Sequence, residues 1–299
     1  MRLIDTETLA LSEFFGDSIP KYAILSHTWG AEEVTFQDWD DLGKASRKKG
    51  FAKIEGACAK ARSHGLSWVW VDTNCIDKTS SAELTEAINS MFQWYARSEV
   101  CYAYLSDVRS ADAPSGGIRE SRWFKRGWTL QELLAPERMT FYAADWSTLG
   151  SRNGSLLSII SDTTGIGKKY LLRHGRVTPQ DAPVARKMSW LAGRTTTRVE
   201  DIAYCMLGLF DINMPLLYGE GIKAFTRLQH EIIKVSNDHT IFCWSWNKDV
   251  PENWTSILAH SPSQFLGCGR VVEISGHRPS DEISIYSMTN AGLSIQLPV

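Results

Sequence analysis

The chain predicts an α/β fold: a mainly parallel sheet flanked by helices, then a mostly helical segment and a short β-rich C-terminal part. Three observations carry this expectation. Short apolar runs recur at 22–25, 68–71, 100–105 and 139–142, and such runs suit strands buried on both faces. Between them lie segments with apolar residues at helical spacing, so strands and helices alternate, which implies parallel pairing and right-handed crossovers. After about Gly150 the alternation stops.

The first run (YAIL) ends in Ser26-His27-Thr28-Trp29-Gly30. Residues 46–64 carry Phe51, Ile54, Cys58 and Ala61 at helical spacing, and Gly65 supplies a stop. The run 68–71 leads straight into a loop holding Asp72, Asn74, Asp77 and Lys78. Ser80 or Ser81 can cap the next helix, with Glu83 or Glu86 near its start. Leu84, Ile88, Met91, Phe92 and Tyr95 form its apolar stripe. The strand 100–105 is followed by a Ser-, Asp-, Gly- and Pro-rich surface loop at 109–119. An apolar segment with one carboxylate, Glu132, then precedes the strand 139–142.

Residues 151–167 read as a short helix and turns, and 185–194, 199–210 and 221–235 as helices. The stretches 240–246 (TIFCWSW) and 271–297 read as strands. Three regions result: 1–150, 151–239 and 240–299. The last lacks a clear stop and suggests a natural chain that continues beyond Val299.

Composition narrows the function. A chain of 299 residues with 43% hydrophobic content can bury a full core, as one large domain or two modest ones. A net charge of -2 leaves no global basic field for nucleic acid or an anionic membrane. No apolar run is long enough to span a bilayer. The first ten residues carry Asp5 and Glu7 and lack the apolar core of a signal peptide. Six scattered cysteines without a C-x-x-C pair favour reduced thiols in a cytoplasmic protein, so the N-x-[ST] matches at Asn153 and Asn253 carry little weight. Residues 165–168 lack the flanks of a P-loop, His230-Glu231 lacks the second histidine of a zincin, and no G-x-S-x-G elbow is present. Neither the cysteines nor the histidines show zinc spacing, so no metal is expected.

In an open parallel sheet, loops at the carboxyl ends of the strands converge on one crevice. The polar residues of this chain concentrate on such loops. Three blocks there resemble the fungal heterokaryon-incompatibility (HET) domain: YAILSHTWG at 22–30, WVWVDTNCIDKTSSAELTEAINSMFQWY at 68–95 and SRWFKRGWTLQELLAP at 121–136. Residues 187–221 are similar to the companion segment that often follows it. The resemblance implies a fungal source and a role in self/non-self recognition that ends in programmed cell death. The layout AELTEAINSMF, strand, loop, WTLQEL is in turn similar to TIR domains, which are flavodoxin-like, although the loop 109–119 is longer than usual. Trp128 and Glu132 stand in the TIR W-x-x-x-E arrangement, and in NAD-cleaving TIR enzymes that glutamate is catalytic.

The resemblance therefore implies Glu132 as the catalytic group and NAD as substrate, with no cofactor required. Nicotinamide in NAD is already a cationic leaving group, so one carboxylate stabilising an oxocarbenium-like state can suffice. The plainer reading of Glu132 is a helix-surface charge. Ser26, His27, Trp29, Asp72, Asp77, Lys78, Arg126 and Trp128 are the candidate nucleotide-binding residues. Each has an ordinary alternative: a loop hydrogen bond for His27, a core position for Trp29, a turn for Asp77, a solvated ammonium for Lys78. Trp128 can pack beside Glu132, four residues on, and Arg126 can order the loop or pair with a carboxylate. Expected partners are a second copy of the domain, and an NLR-type receptor or C-terminal region of a longer chain. The alternative function is a non-enzymatic adaptor that triggers death by homotypic assembly.

Overall fold

In the computed structural model, residues 1–112, 115–172, 177–272, 287–289 and 292–294 are described. The chain divides into two compact units, Met1–Val177 and Thr178–Val299.

The first unit is built on a seven-stranded sheet of order β2-β1-β4-β3-β5-β6-β7. Its strands are β1 (Arg2–Asp5), β2 (Leu11–Glu13), β3 (Ala23–His27), β4 (Trp68–Trp70), β5 (Val100–Leu105), β6 (Met139–Ala143) and β7 (Thr148–Ser151). The inner strands β4, β3, β5 and β6 are parallel, while β1, β2 and β7 pair antiparallel at the edges. Every residue of β3 and β5 is buried, as their unbroken apolar runs require of strands covered on both faces. The four expected strands are present. The outer strands β1, β2 and β7 are additions that three- or four-residue segments did not signal.

Helices join the parallel strands. Two single turns, α1 (Phe36–Trp39) and α2 (Leu42–Ala45), precede α3 (Phe51–Ser63). The expected helix thus begins at Phe51 instead of residue 46. It ends in a Schellman motif: Leu66 N–H bonds Ala61 C=O at 2.9 Å and Gly65 N–H bonds Arg62 C=O at 2.9 Å. Gly65 takes φ 71° there, the left-handed conformation that glycine adopts without strain. The helix α4 (Ser81–Arg97) is capped by Ser80, whose Oγ accepts from Glu83 N–H, and buries Ala87, Ile88, Met91, Phe92 and Tyr95.

The chain passes from β3 to β4 on one side and then returns across β3 to β5. With right-handed crossovers, α3 and α4 must lie on opposite faces. The reversal makes the carboxyl ends of β3 and β5 a topological switch point, where open α/β sheets hold ligands. Between β5 and β6 lie α5 (Ser115–Glu120) and α6 (Thr129–Leu134). The segment read as loop therefore holds a short helix. All six residues of α6 are buried, and the helix contacts both α4 and β3.

Gly56 shows how tightly α3 is covered. A Cβ at this position would lie 2.1 Å from Trp146 Nε1, in a ring that packs on Tyr104 and Tyr142. Alanine is worth about 1 kcal/mol over glycine in an open helix. Here we expect Gly56→Ala to lower stability instead, as a reduced urea midpoint, because the indole has to move.

Two further helices, α7 (Leu157–Thr164) and α8 (Lys168–Leu171), complete the first unit. The second unit contains α9 (Val184–Leu191), α10 (Asp201–Tyr204), α11 (Leu207–Phe210) and α12 (Lys223–Val235). The helix expected over 199–210 is broken in two, and Asp211, at φ 55°, ends the second piece. Residues 240–246 do not form a strand. His239–Phe242 is a 3-10 turn, started by the Asp238 carboxylate accepting from Thr240 N–H at 2.8 Å. Among the described residues, the β content of this unit is the hairpin of β8 (Ser287–Thr289) and β9 (Gly292–Ser294). Most of the expected strand region 271–297 lies outside the described residues. Among the described residues, no helix is long and apolar enough to cross a membrane.

Candidate functional site

Glu132 is the centre of the site. It sits in α6, which lies against the sheet, so its side chain is enclosed: the residue is 7% exposed. It is not a helix-surface charge. Ser26, the second-to-last residue of β3, donates its hydroxyl proton to Glu132 Oε2. Trp123 Nε1 donates in turn to Ser26 Oγ at 2.9 Å. Tyr95, on the buried face of α4, donates to Leu25 C=O at 3.1 Å and lies beside the same carboxyl. Three elements far apart in sequence thus converge on one carboxyl.

Burial pushes the pKa of Glu132 up to about 8, and the negative charge of Asp72 adds to the rise. The hydrogen bond from Ser26, the neighbouring Tyr95 hydroxyl and the positive charge of Arg126 oppose it without cancelling it. A carboxyl in this state exchanges its proton close to neutral pH, a property concentrated at functional sites.

Around this carboxyl, Asp72 follows β4. Its Oδ2 accepts from Trp29 Nε1 at 2.9 Å and lies 3.7 Å from Lys78 Nζ. Lys78 Nζ stands 3.8 Å above the centre of the Trp29 ring. Trp29 is not a core tryptophan: 44% of it is exposed. The Lys78 pKa is lowered by burial, against the pull of Asp72 and Glu33. About a third of its side chain still reaches solvent.

His27 is buried. Its Nε2 lies 3.7 Å from Glu33 Oε2 and 3.9 Å from Asp72 Oδ1, beyond hydrogen-bond reach. Both ring nitrogens lack a hydrogen-bond partner among the described residues, as do the buried Thr73 Oγ1 and both polar atoms of the Asn74 amide. Buried polar groups without partners are costly and rare. Here they lie at the carboxyl ends of β3 and β4.

Glu33 has no counterpart among the expected site residues. Burial alone would raise its pKa, but the neighbouring His27 and an ion pair with Lys53 outweigh that and hold it at about 2. It is therefore a permanent anion beside His27. Its signal in the sequence was weak, because it follows a second glutamate in a polar stretch.

The remaining expected residues are Asp77, Trp128 and Arg126. Asp77 is used by its own turn: Oδ1 accepts from Thr79 N–H at 2.9 Å, Thr79 Oγ1 at 2.6 Å and Gln37 Nε2 at 2.7 Å. Trp128 caps α6 and is half-buried, with its carbonyl 3.5 Å from Glu132 N. Arg126, also half-buried, acts on Glu132 through its charge. All six cysteines are free, and Cys243 is the exposed one. Among the described residues, no group of three or more His, Cys, Asp or Glu side chains could hold a metal ion.

The family model "Heterokaryon incompatibility protein (HET)" matches residues 22–118, which include β3, β4, α4 and β5. Vegetative incompatibility protein HET-E-1 of Podospora anserina is 48% identical over 227 residues, covering 72% of this chain. The chain spans only 16% of the length of that relative. No solved structure matches the chain. The family match and this level of identity over most of the chain establish that it is a fungal heterokaryon-incompatibility (HET) domain protein.

Proposed function

We propose that this HET domain is a cell-death effector of fungal self/non-self recognition that cleaves the N-glycosidic bond of NAD through Glu132. One observation carries the reading. A carboxyl is buried beside β3 at the switch point of the sheet and held by Ser26. The incompatibility role rests on the family match and on the relative named above.

In the proposed reaction, the C–N bond to nicotinamide breaks and its electron pair goes to the pyridinium nitrogen, so nicotinamide leaves neutral. The positive charge passes to the ribose as an oxocarbenium-like state. Ionised Glu132 stabilises that charge across a short, water-poor gap. Water then adds to the anomeric carbon and loses a proton. A cationic nicotinamide riboside beside Glu132 favours its ionised form, which offsets the rise caused by burial. Trp29 and Lys78 offer an aromatic surface and a positive charge for the rest of the dinucleotide. Assembly with like domains, and coupling to an NLR-type receptor or C-terminal region of a longer chain, would bring the effector into action in the cytoplasm.

The test is incubation of concentrated, purified protein with NAD while free nicotinamide is followed. The free enzyme should gain kcat/KM as pH rises through about 8, because the active form is the deprotonated carboxyl. Absence of nicotinamide release at every protein concentration would favour the adaptor reading.

A further inference from the structure

The catalytic reading leaves Ser26 and Trp123 without a role in substrate contact. Ser26 is fully buried, as is Trp123, so neither presents a surface to a ligand. Sequence reasoning had placed Ser26 among the nucleotide-binding residues. Its geometry assigns it elsewhere.

A serine hydroxyl has one proton to give and lone pairs with which to accept. An indole N–H can only donate. Trp123 Nε1 donates to Ser26 Oγ at 2.9 Å, which orients the hydroxyl and turns its proton toward Glu132 Oε2. The indole is itself fixed by edge-to-face contacts with Phe124 and Phe141. We propose that Ser26, oriented by Trp123, is a positioning residue that fixes the direction of the Glu132 carboxyl and favours its ionised form. This rests on Glu132 being the catalytic group.

Other groups face the same carboxyl. Asp72, from the loop after β4, opposes ionisation, and Arg126, before α6, favours it. Burial holds the Cys101 thiol of β5 in its neutral form, and the charge of Glu132 adds to this. Tyr95 of α4 also adjoins the carboxyl, but its single proton is directed at Leu25 C=O. Ser26 is thus the hydroxyl whose proton is already committed to the carboxylate. Hydrogen bonds to an ionised partner are the strong ones, so removing this donor should shift the ionisation equilibrium by about tenfold or more.

The experiment compares the parent with Ser26→Ala and Ser26→Thr, reading two quantities on each. The first is the midpoint of the pH profile of NAD cleavage. The second is the ionisation midpoint of Glu132 followed directly by carbon NMR on glutamate-labelled protein, with Glu132→Gln identifying the signal. The Ala variant should move both midpoints upward by about one pH unit, and Thr, which retains the hydroxyl, should restore them. A fall in rate at all pH values with unmoved midpoints would mean a purely structural role and overturn the proposal. If Ser26→Ala fails to fold, Ser26→Cys replaces it: a weakly donating thiol of similar size should raise the midpoint in the same direction. Should the parent release no nicotinamide, the catalytic reading fails, while the NMR midpoint still decides whether Ser26 controls the carboxyl.

Discussion

Replacing Glu132 with Gln should abolish NAD cleavage and cell killing while making the protein more stable at pH 8. The amide keeps the shape of the side chain, and Ser26 can donate to its oxygen, but the charge that would stabilise the oxocarbenium-like state is gone. Losing one such preorganised group typically costs about 10²–10³ in rate. The stability effect has the opposite sign. In the fold, Glu132 holds its proton up to about pH 8, whereas an unperturbed glutamate releases it near 4.5. Between those values the folded state binds more protons than the unfolded chain, so this group's contribution to stability falls as pH rises. Gln lacks that penalty. Its advantage over the parent should be absent near pH 4 and grow toward pH 8, reaching on the order of a few kcal/mol. Paired urea titrations across that range measure it, together with nicotinamide release. A variant that still consumes NAD and kills at the parental rate would transfer the function to the assembly surface. One that is destabilised equally at all pH values would remove the buried-carboxyl argument.

Replacing Arg152 with Met should cause the largest loss of stability among substitutions outside the apolar core. Arg152 is fully buried and immediately follows β7. Its Nη1 donates to Leu133 C=O at 2.6 Å and Pro136 C=O at 2.8 Å, and its Nη2 to Glu137 C=O at 2.8 Å. These carbonyls lie in and just beyond the last turn of α6, where helical carbonyls have no partner further along the helix. One planar, multiply donating guanidinium satisfies several of them at once. Methionine fills similar space but donates nothing, and each buried acceptor left unpaired costs about 1–3 kcal/mol. A loss of about 3 kcal/mol or more is expected, and Lys, a single compact donor, should recover only part of it. The measurement is a urea or thermal melt alongside the rate of nicotinamide release. Because the same turn carries Glu132, activity should fall together with folding. Full activity and unchanged stability in the Met variant would show that α6 is held by its apolar contacts alone.

The α/β class, the four parallel strands and the two crossover helices were legible in the sequence, because each depends on local pattern. Continuous apolar runs announce strands covered on both faces, and the stripe of α4 announces a helix with one buried side. The edges of the sheet were not legible. In β1, Ile4 pairs with Val69, and in β7, Ser151 pairs with Thr140; strands this short acquire meaning only from partners elsewhere in the chain. Residues 240–246 show the converse. Their alternation is strand-like, but a strand needs a neighbour to receive its backbone hydrogen bonds, and Asp238 turns the chain into a 3-10 helix first.

The candidate site divides along the same line. Sequence alone pointed to Ser26, His27, Trp29, Asp72 and Glu132, because they stand at strand ends and inside specific motif blocks. It did not reveal Glu33 as the anion beside His27, Trp123 as the donor behind Ser26, or Tyr95 as more than part of an apolar stripe. For Asp77 the turn alternative is the one its hydrogen bonds show, while Asp72 joins the cluster. The bond between Ser26 and Glu132 spans 106 positions, and burial of that carboxyl depends on α4, α6 and β3 meeting. Residue types and their order determined which chemistry the chain carries. The packing of distant elements decided which carboxyl is dehydrated, what holds it, and at what pH it gives up its proton, because desolvation and hydrogen bonding exist only once those elements are in contact.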